Sequence, residues 1–392
     1  MKTPTKIAIG TLALLLVLAF VYRQSIVLRI TGIRPFVEER FDGWVEDGAD
    51  EAELDAALRR IHDPVGSGPG SWVYELSQPA ARYRALAREA ETAASPETAS
   101  ELYHTAAVWY YIARFPFVGS PAKAEAYRNH IDCYREAVSR QTPPLEVVRI
   151  PFEEQEIIGY LRLPTGIERP PVVVLTGGVD TWKSDIEFQA HSMLAEGMAA
   201  FAFDMPGTGE SAWPLGADES RVYSRVFEYL KARPDVDGDR IGAYLLSFAG
   251  YYAVKLAVTD PNLKAAVNVG GPIHLSFTLE HARTVPEIMT RTIAHAMRVD
   301  MDQPLEQMVE QIEAMSLQRL GLLEPPAHQA ALLSVNGDRD PLVTIEDLYI
   351  ISKSGISQEE WVYPGDGHCA SANTSEHVPR AAAWLKAHLS GV

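Results

Sequence analysis

The stretch "VDGDRIGAYLLSFAGYYAVKLA", residues 236–257, changes character at its serine. Upstream of it, "RIGAYLL" is a short, apolar run of the kind that forms a strand buried on both faces. Downstream, "FAGYYAVKLA" continues as a helix. Ser247 thus stands at the bend between strand and helix, where a nucleophile elbow holds a serine. A residue in that bend is strained and projects from a tight turn, so its neighbours must be small. Ala249 and Gly250 meet this need downstream, while Leu245 fills the upstream position that is glycine in G-x-S-x-G. Read alone, the stretch leaves two meanings open: a nucleophile on an unusual turn, or an ordinary buried serine.

The surrounding text sets the architecture. "LEVVRIPF" and "IIGYLRLP" form a hairpin, and then "PVVVLTGG", "MAAFAFDMP", "RIGAYLLS", "KAAVNVGGP", "AALLSVNGD" and "EEWVYPGDGH" alternate with helical segments. Such alternation implies an α/β fold with a mostly parallel sheet covered by helices on both faces. Ligands of these sheets gather at the carboxyl ends of the strands. From about residue 272 to 326 the alternation is interrupted by "EIMTRTIAHAMRV" and "LEQMVEQIEAMSLQRL", expected to form a helical lid insertion. Residues 35–143 read as a separate helical cap domain. Leu102, Ala106, Trp109 and Ala113 recur at helical spacing, as do Tyr127, Ile131, Tyr134 and Val138. Ser95 and Pro96 supply an N-cap and a first helical position, with Glu97 in the first turn. No second copy at a fixed period supports a repeat array. The expected organisation is therefore residues 1–34, 35–143, and a core at 144–392.

The candidate acid and base follow the serine along the chain. "SVNGDRDPLV" places Asp340 after a strand, and "YPGDGHCA" places His368 after the last strand. The order Ser, Asp, His is that of the α/β-hydrolase fold. In that arrangement a neutral His368 takes the Ser247 proton, and Asp340 holds the imidazole tautomer. Asp338 and Asp366 compete for the acid role, but both sit in glycine-rich turns that their side chains would serve. Two backbone donors are needed for an oxyanion. Phe248 supplies one, and the loop after "VVVLTGG" offers Gly178 or Val179 as the second. Trp182 and Trp213 lie in loops suited either to line a pocket or to pack. "DMPGTGES" (204–211) has too short a G-x-G and no following Lys-Ser or Lys-Thr, so nucleotide binding is rejected. No His and carboxylate cluster suggests a metal, and no cofactor is expected.

Composition narrows the partners. Of 392 residues, 47% are hydrophobic and 22% charged, a globular balance. The net charge of −17 comes without a Lys/Arg stripe, which argues against nucleic acid. Cys133 and Cys369 allow at most one bridge and no disulfide framework. "KIAIGTLALLLVLAFVYR" contains an apolar run at residues 7–22 flanked by Lys2, Lys6 and Arg23, with no A-x-A site after it. The expectation is an uncleaved single-pass membrane anchor. Lys2, Lys6 and the free amine compete with Arg23, Arg29 and Arg34, so its sidedness stays open.

The chain resembles the FrsA-like esterase branch of the α/β-hydrolases, which includes 2,6-dihydroxypseudooxynicotine hydrolase. The likeness rests on "AVWYYIARFPF", "KAEAYRNHIDCYREA", "LTGGVDTWKSD", "FDMPGTGES", "DRIGAYLLSFAG" and "GDGHCASAN". It implies Ser247, Asp340 and His368 as a triad, with oxyanion donors at Phe248 and near Gly178 and Val179. It also implies a substrate-orienting carboxylate after the sixth strand, for which Glu280 is the nearest candidate. Leu245 departs from the family glycine. The resemblance does not fix the reaction, since its members cleave esters and some cleave a carbon–carbon bond next to a ketone. The expected activity is serine-dependent hydrolysis of a moderately sized, partly apolar carboxylic ester. Its alternatives are carbon–carbon cleavage of a β-diketone or polyketide, and a non-catalytic binding or regulatory role. The expected partners are a small ester or ketone and, through the N-terminal segment, a membrane.

Overall fold

The strand-like runs pair into one eight-stranded sheet, of order β1-β2-β4-β3-β5-β6-β7-β8, in a computed structural model of the chain. The structure describes residues 33–34, 37–326 and 328–391. β1 (Glu146–Phe152) and β2 (Gln155–Arg162) form an antiparallel hairpin, and β2 runs antiparallel to β4 (Ala199–Phe203). The rest is parallel: β3 (Pro171–Thr176), β5 (Asp237–Leu246), β6 (Leu263–Val269), β7 (Ala331–Gly337) and β8 (Glu359–Tyr363). Every residue of β3 and β4 is buried, as a doubly covered strand requires.

Helices cover both faces, and alternate residues of β5 show it. Ile241, Ala243 and Leu245 join a core containing Tyr223, Phe227, Tyr251 and Val254. A Cβ at Gly242 would instead meet Leu385 and Leu389 of the C-terminal helix, Thr374–Ser390. The strand order reverses at β3: the chain first steps outward to β4 and then returns to add β5 on the other side. Such a reversal opens a crevice at the carboxyl ends of the two strands that flank it. Here those ends carry Gly177 after β3 and Ser247 after β5. Between β6 and β7 the described residues form three α-helices, Leu279–Ala282, Glu287–Ala296 and Leu305–Ile312, with 3-10 turns at Leu275–Phe277 and Glu313–Met315. Ala282, Ala294, Met308 and Val309 form a small hydrophobic cluster of their own.

The described residues divide into two compact units at Gln141/Thr142. In the first, Trp72–Thr92, Pro96–Arg114 and Pro121–Val138 pack on one another. Trp44, Trp72 and Phe115 form an aromatic cluster there, and the Trp72 indole donates to the Ile112 carbonyl at 2.8 Å. Ser95 sits at the N-cap of Pro96–Arg114, but its side chain makes no capping bond. Pro96 at the first turn has no N–H to satisfy, which removes one of the orphan donors.

The membrane expectation is corrected. Among the described residues no helix is long and apolar enough to cross a membrane, and the apolar run at 7–22 lies outside them. The longest described helix, Trp72–Thr92, carries Glu75, Arg82, Arg84, Arg88, Glu89 and Glu91, charges that a bilayer interior does not accept. A single-pass anchor, a membrane location and a membrane partner are therefore not supported. Cys133 and Cys369 are both buried and both free, so they form no bridge.

Candidate active site

Ser247 follows directly on β5 and opens a 3-10 turn, Ser247–Ala249, that leads into the helix Gly250–Thr259. Its φ is +56°, a left-handed conformation that costs a non-glycine residue of the order of 1 kcal/mol or more. The turn is kept tight by close approaches around it. A Cβ on Gly250 would lie 2.2 Å from the Asn268 Oδ1 and 2.7 Å from the Gly271 Cα, so Gly250 has to be glycine. Leu245 needs no such allowance. It is a strand residue in register with Thr176 and Asn268, fully buried under the sheet. The close contact that glycine serves in G-x-S-x-G falls here at Gly250, one position beyond the motif.

The Ser247 hydroxyl lies 2.8 Å from His368 Nε2, and His368 Nδ1 lies 2.7 Å from Asp340 Oδ2. The carboxylate only accepts, so Nδ1 carries the proton and the neutral ring turns Nε2 to the serine as an acceptor. The Asp340 side chain is fully buried, and His368 is 12% exposed. Asp340 also accepts from the backbone of Leu342 (2.7 Å) and Val343 (3.0 Å) and from the Asn336 amide (2.9 Å). Burial works to raise its pKa, but the His368 charge and these hydrogen bonds outweigh it and hold the carboxyl below its ordinary value. Burial works against a charged His368, yet the adjacent Cys369 sulfur and the Asp340 carboxylate hold its pKa well above the usual histidine value.

The loop bearing His368 is shaped by its neighbours. Cys369 and Ala370, the next two residues, both have positive φ (61° and 51°). Asp366 fastens the turn by accepting from Gly367 N (2.7 Å), Ala372 N (3.2 Å) and Asn373 Nδ2 (2.7 Å). Asp338 accepts from Gly365 N at 2.6 Å, so both rival carboxylates serve turns. Asn336, near the end of β7, was not singled out from the sequence. Its amide donates to Asp340 while its carbonyl accepts from Cys369 N at 2.9 Å, which ties the acid loop to the histidine loop. A buried asparagine inside the apolar text of a doubly covered strand was the available signal.

Gly178 comes against the serine from the β3 side. A Cβ there would stand 2.6 Å from Ser247 Cβ, 2.8 Å from its Oγ and 3.4 Å from Phe248 N. The loop is clamped from behind: Asp204 accepts from Lys183 N (3.0 Å) and Glu210 N (2.8 Å), and the buried Lys183 ammonium pairs with Asp204 and with Glu210 (2.8 Å). This explains the glycines of "DMPGTGES": a Cβ on Gly209 would strike the Asp204 carboxylate at 2.2 Å. Trp182 and Trp213 pack behind these loops, their indoles donating to the Val179 carbonyl (3.3 Å) and to Glu153 (2.9 Å).

Ser247, His368, Phe248 and Val179 face one chamber of about 60 Å³. Its other wall is apolar, with Phe277, Met289, Ile293, Met308, Ile312 and Leu342. His368 is its one readily ionisable lining group among the described residues. Asp347, fully buried, fixes the start of that wall by accepting from the N–H groups of Ile273, His274, Leu275 and Ser276 at 2.7–3.0 Å. Glu280 does not reach the chamber. It is exposed in the first turn of Leu279–Ala282, where the helix dipole favours a carboxylate, so the substrate-orienting role expected of it has no geometric support.

A sheet with this order, and a serine bonded to a histidine and a carboxylate at the strand ends, defines an α/β-hydrolase. The family model described as Esterase FrsA-like matches residues 51–389, and the chain belongs to this family. The Esterase FrsA of Photobacterium profundum is 25% identical over 331 residues, covering 79% of this chain and 78% of that protein. That of Yersinia pestis (strain Pestoides F) is 28% identical over 360 residues, covering 85% of each. Among solved structures, the 2,6-dihydroxy-pseudo-oxynicotine hydrolase matches with a TM-score of 0.75 at 21% identity, over 88% of this chain and 94% of that one. AbyA5 matches with a TM-score of 0.68 at 24% identity, also over 88% and 94%. At these identities the solved structures speak for the fold, and the FrsA relatives for an esterase-type hydrolase.

Proposed function

We propose that the protein is a serine esterase that cleaves a carboxylic ester through an acyl-enzyme. Ser247 is the nucleophile, His368 the general base and then acid, and Asp340 the group that holds the imidazole. The Phe248 N–H and that of Gly178 or Val179 receive the oxyanion. His368 Nε2 takes the hydroxyl proton as Ser247 Oγ attacks the ester carbonyl carbon, and the carbonyl oxygen becomes the oxyanion. Collapse breaks the bond to the alcohol, which leaves with the proton from His368. Water then repeats the sequence on the acyl-serine and releases the acid.

The observation that carries this reading is the unbroken Ser247–His368–Asp340 hydrogen-bond chain opening on an apolar chamber. The helices at 272–326 act as a lid, since they supply most of the chamber's apolar wall. The wall suits a short, apolar acyl group. Carbon–carbon hydrolysis would use the same three residues, and no separate feature of the site favours it.

A fluorophosphonate probe tests the assignment. The native protein is expected to be labelled, and Ser247→Ala to lose both label and ester hydrolysis, the latter by about 10⁶-fold. Native protein that folds but takes no label, or label that survives in Ser247→Ala, overturns it. Cleavage of β-diketones with negligible ester turnover replaces it with the carbon–carbon reading.

A further inference from the structure

The chamber at Ser247, about 60 Å³, is too small to hold a whole ester of moderate size, since ligand sites run to several hundred Å³. A second cavity of about 420 Å³ adjoins it. The two share Ala282, Val285, Thr290 and Met308 in their walls, so a single layer of side chains separates them. Met308 in that layer is unbranched and flexible, and an unbranched thioether repacks at low cost.

The two cavities differ in chemistry. The chamber's only readily ionisable lining group among the described residues is His368. The larger basin has an apolar floor, which includes Ala294 and Leu305, and adds to it the polar Thr290 and Gln303 and five charged side chains. Its two arginines already have partners: Arg291 donates to Asp302 (2.6 Å) and to the Met301 carbonyl (3.3 Å), and Arg283 to Glu306 (3.2 Å). Glu287 and Asp300 line the basin as well, so carboxylates outnumber guanidinium groups in its wall. The chain as a whole carries −17, which adds a field of the same sign.

Building on the esterase reading, we propose that this basin is the alcohol subsite. The acyl group of the ester occupies the chamber beside Ser247, and a hydroxylated or cationic alcohol part occupies the basin, passing between Thr290 and Met308. An anionic alcohol part is repelled. The division follows from the walls: the acyl side offers almost only carbon contacts, and the basin adds acceptors and negative charge that the chamber lacks.

Four butyrate esters test the assignment by varying the alcohol alone: methyl, glycerol, choline and carboxymethyl. The native protein is expected to give kcat/KM for the glycerol and choline esters at least about tenfold above that for the carboxymethyl ester. Glu287→Gln combined with Asp300→Asn removes two negative charges and is expected to narrow the gap between the choline and carboxymethyl esters. Gln303→Trp, which fills the basin from its rim, is expected to lower the glycerol and choline esters about tenfold relative to the methyl ester. Cleavage of all four esters without discrimination, or variants that change all four in proportion, overturns the alcohol subsite while leaving the esterase reading intact. A folded protein that cleaves none of them, the methyl ester included, overturns the esterase reading and the subsite with it.

Discussion

On the strand-end side of the chamber, Ser247, Phe248, Val179 and His368 are carried by backbone that hydrogen bonds and close glycine contacts hold in place. On the insert side, Phe277, Met289, Ile293, Met308 and Ile312 reach the same space from short helices joined by carbon contacts. Hydrogen bonds are directional and fail within a fraction of an ångström, whereas packing of methionine and aliphatic groups adapts. Under the proposed function, the first wall would govern bond cleavage and the second the choice of substrate.

Substitutions on either wall test this contrast. The largest effect after removal of Ser247 is expected at Asp340. Asp340→Asn is expected to lower kcat by about 10⁴-fold, because the amide favours the wrong imidazole tautomer. It also moves the pH profile. His368 must be neutral to accept the serine proton, so rate is lost as pH falls through its pKa. In the native protein that pKa is held well above the usual histidine value, which places the acid limb of kcat/KM on the alkaline side of 6.5. Without the carboxylate the limb is expected to shift to lower pH, as a pH series on both proteins will read. A native acid limb below 6.5 would remove the proposed electrostatic role of Asp340.

Next in size is Gly178→Ala. The new methyl would stand 2.8 Å from the Ser247 hydroxyl oxygen, too close to remain without displacing the serine or the loop. A loss of about 10²-fold in kcat is expected, together with a stability loss of about 1–3 kcal/mol from the overpacking. An undiminished rate would show that the strand-end wall adapts as the insert does. The smallest effect is expected on the insert side. Ile312→Val removes one methylene from the apolar wall, enlarges the chamber, and should shift acyl-chain preference by up to about tenfold, at a stability cost of about 1 kcal/mol. A fall in kcat for every chain length would instead tie the insert to the chemistry.

Much of the fold was legible in local text. The eight strands follow from β-rich apolar runs, and the positions of Ser247, Asp340 and His368 after strands follow from where those runs stop. Periodicity and turn residues act over a few positions, so one sequence displays them directly. Asn336 was not legible as a bridge, because its two partners lie four and thirty-three positions away and only the sheet brings them together. Glu280 failed for the same reason in reverse: chain order brought it near β6, but the turn of Leu279–Ala282 leaves its side chain outside the chamber. The run at 7–22 lies outside the described residues, and among those described no helix is long and apolar enough to cross a membrane, so composition alone carried the anchor expectation.

The strand-and-helix alternation, and the order in which serine, carboxylate and histidine arrive, are written along the chain. The meaning of Leu245 is set only where distant elements pack. Its side chain is buried in the core beneath β5, and the close approach at the elbow is made by Gly250 against Gly271 and Asn268. That contact joins residues of a helix start, a strand and the loop beyond it. The space it requires is a property of how those elements meet, which no single stretch of sequence contains.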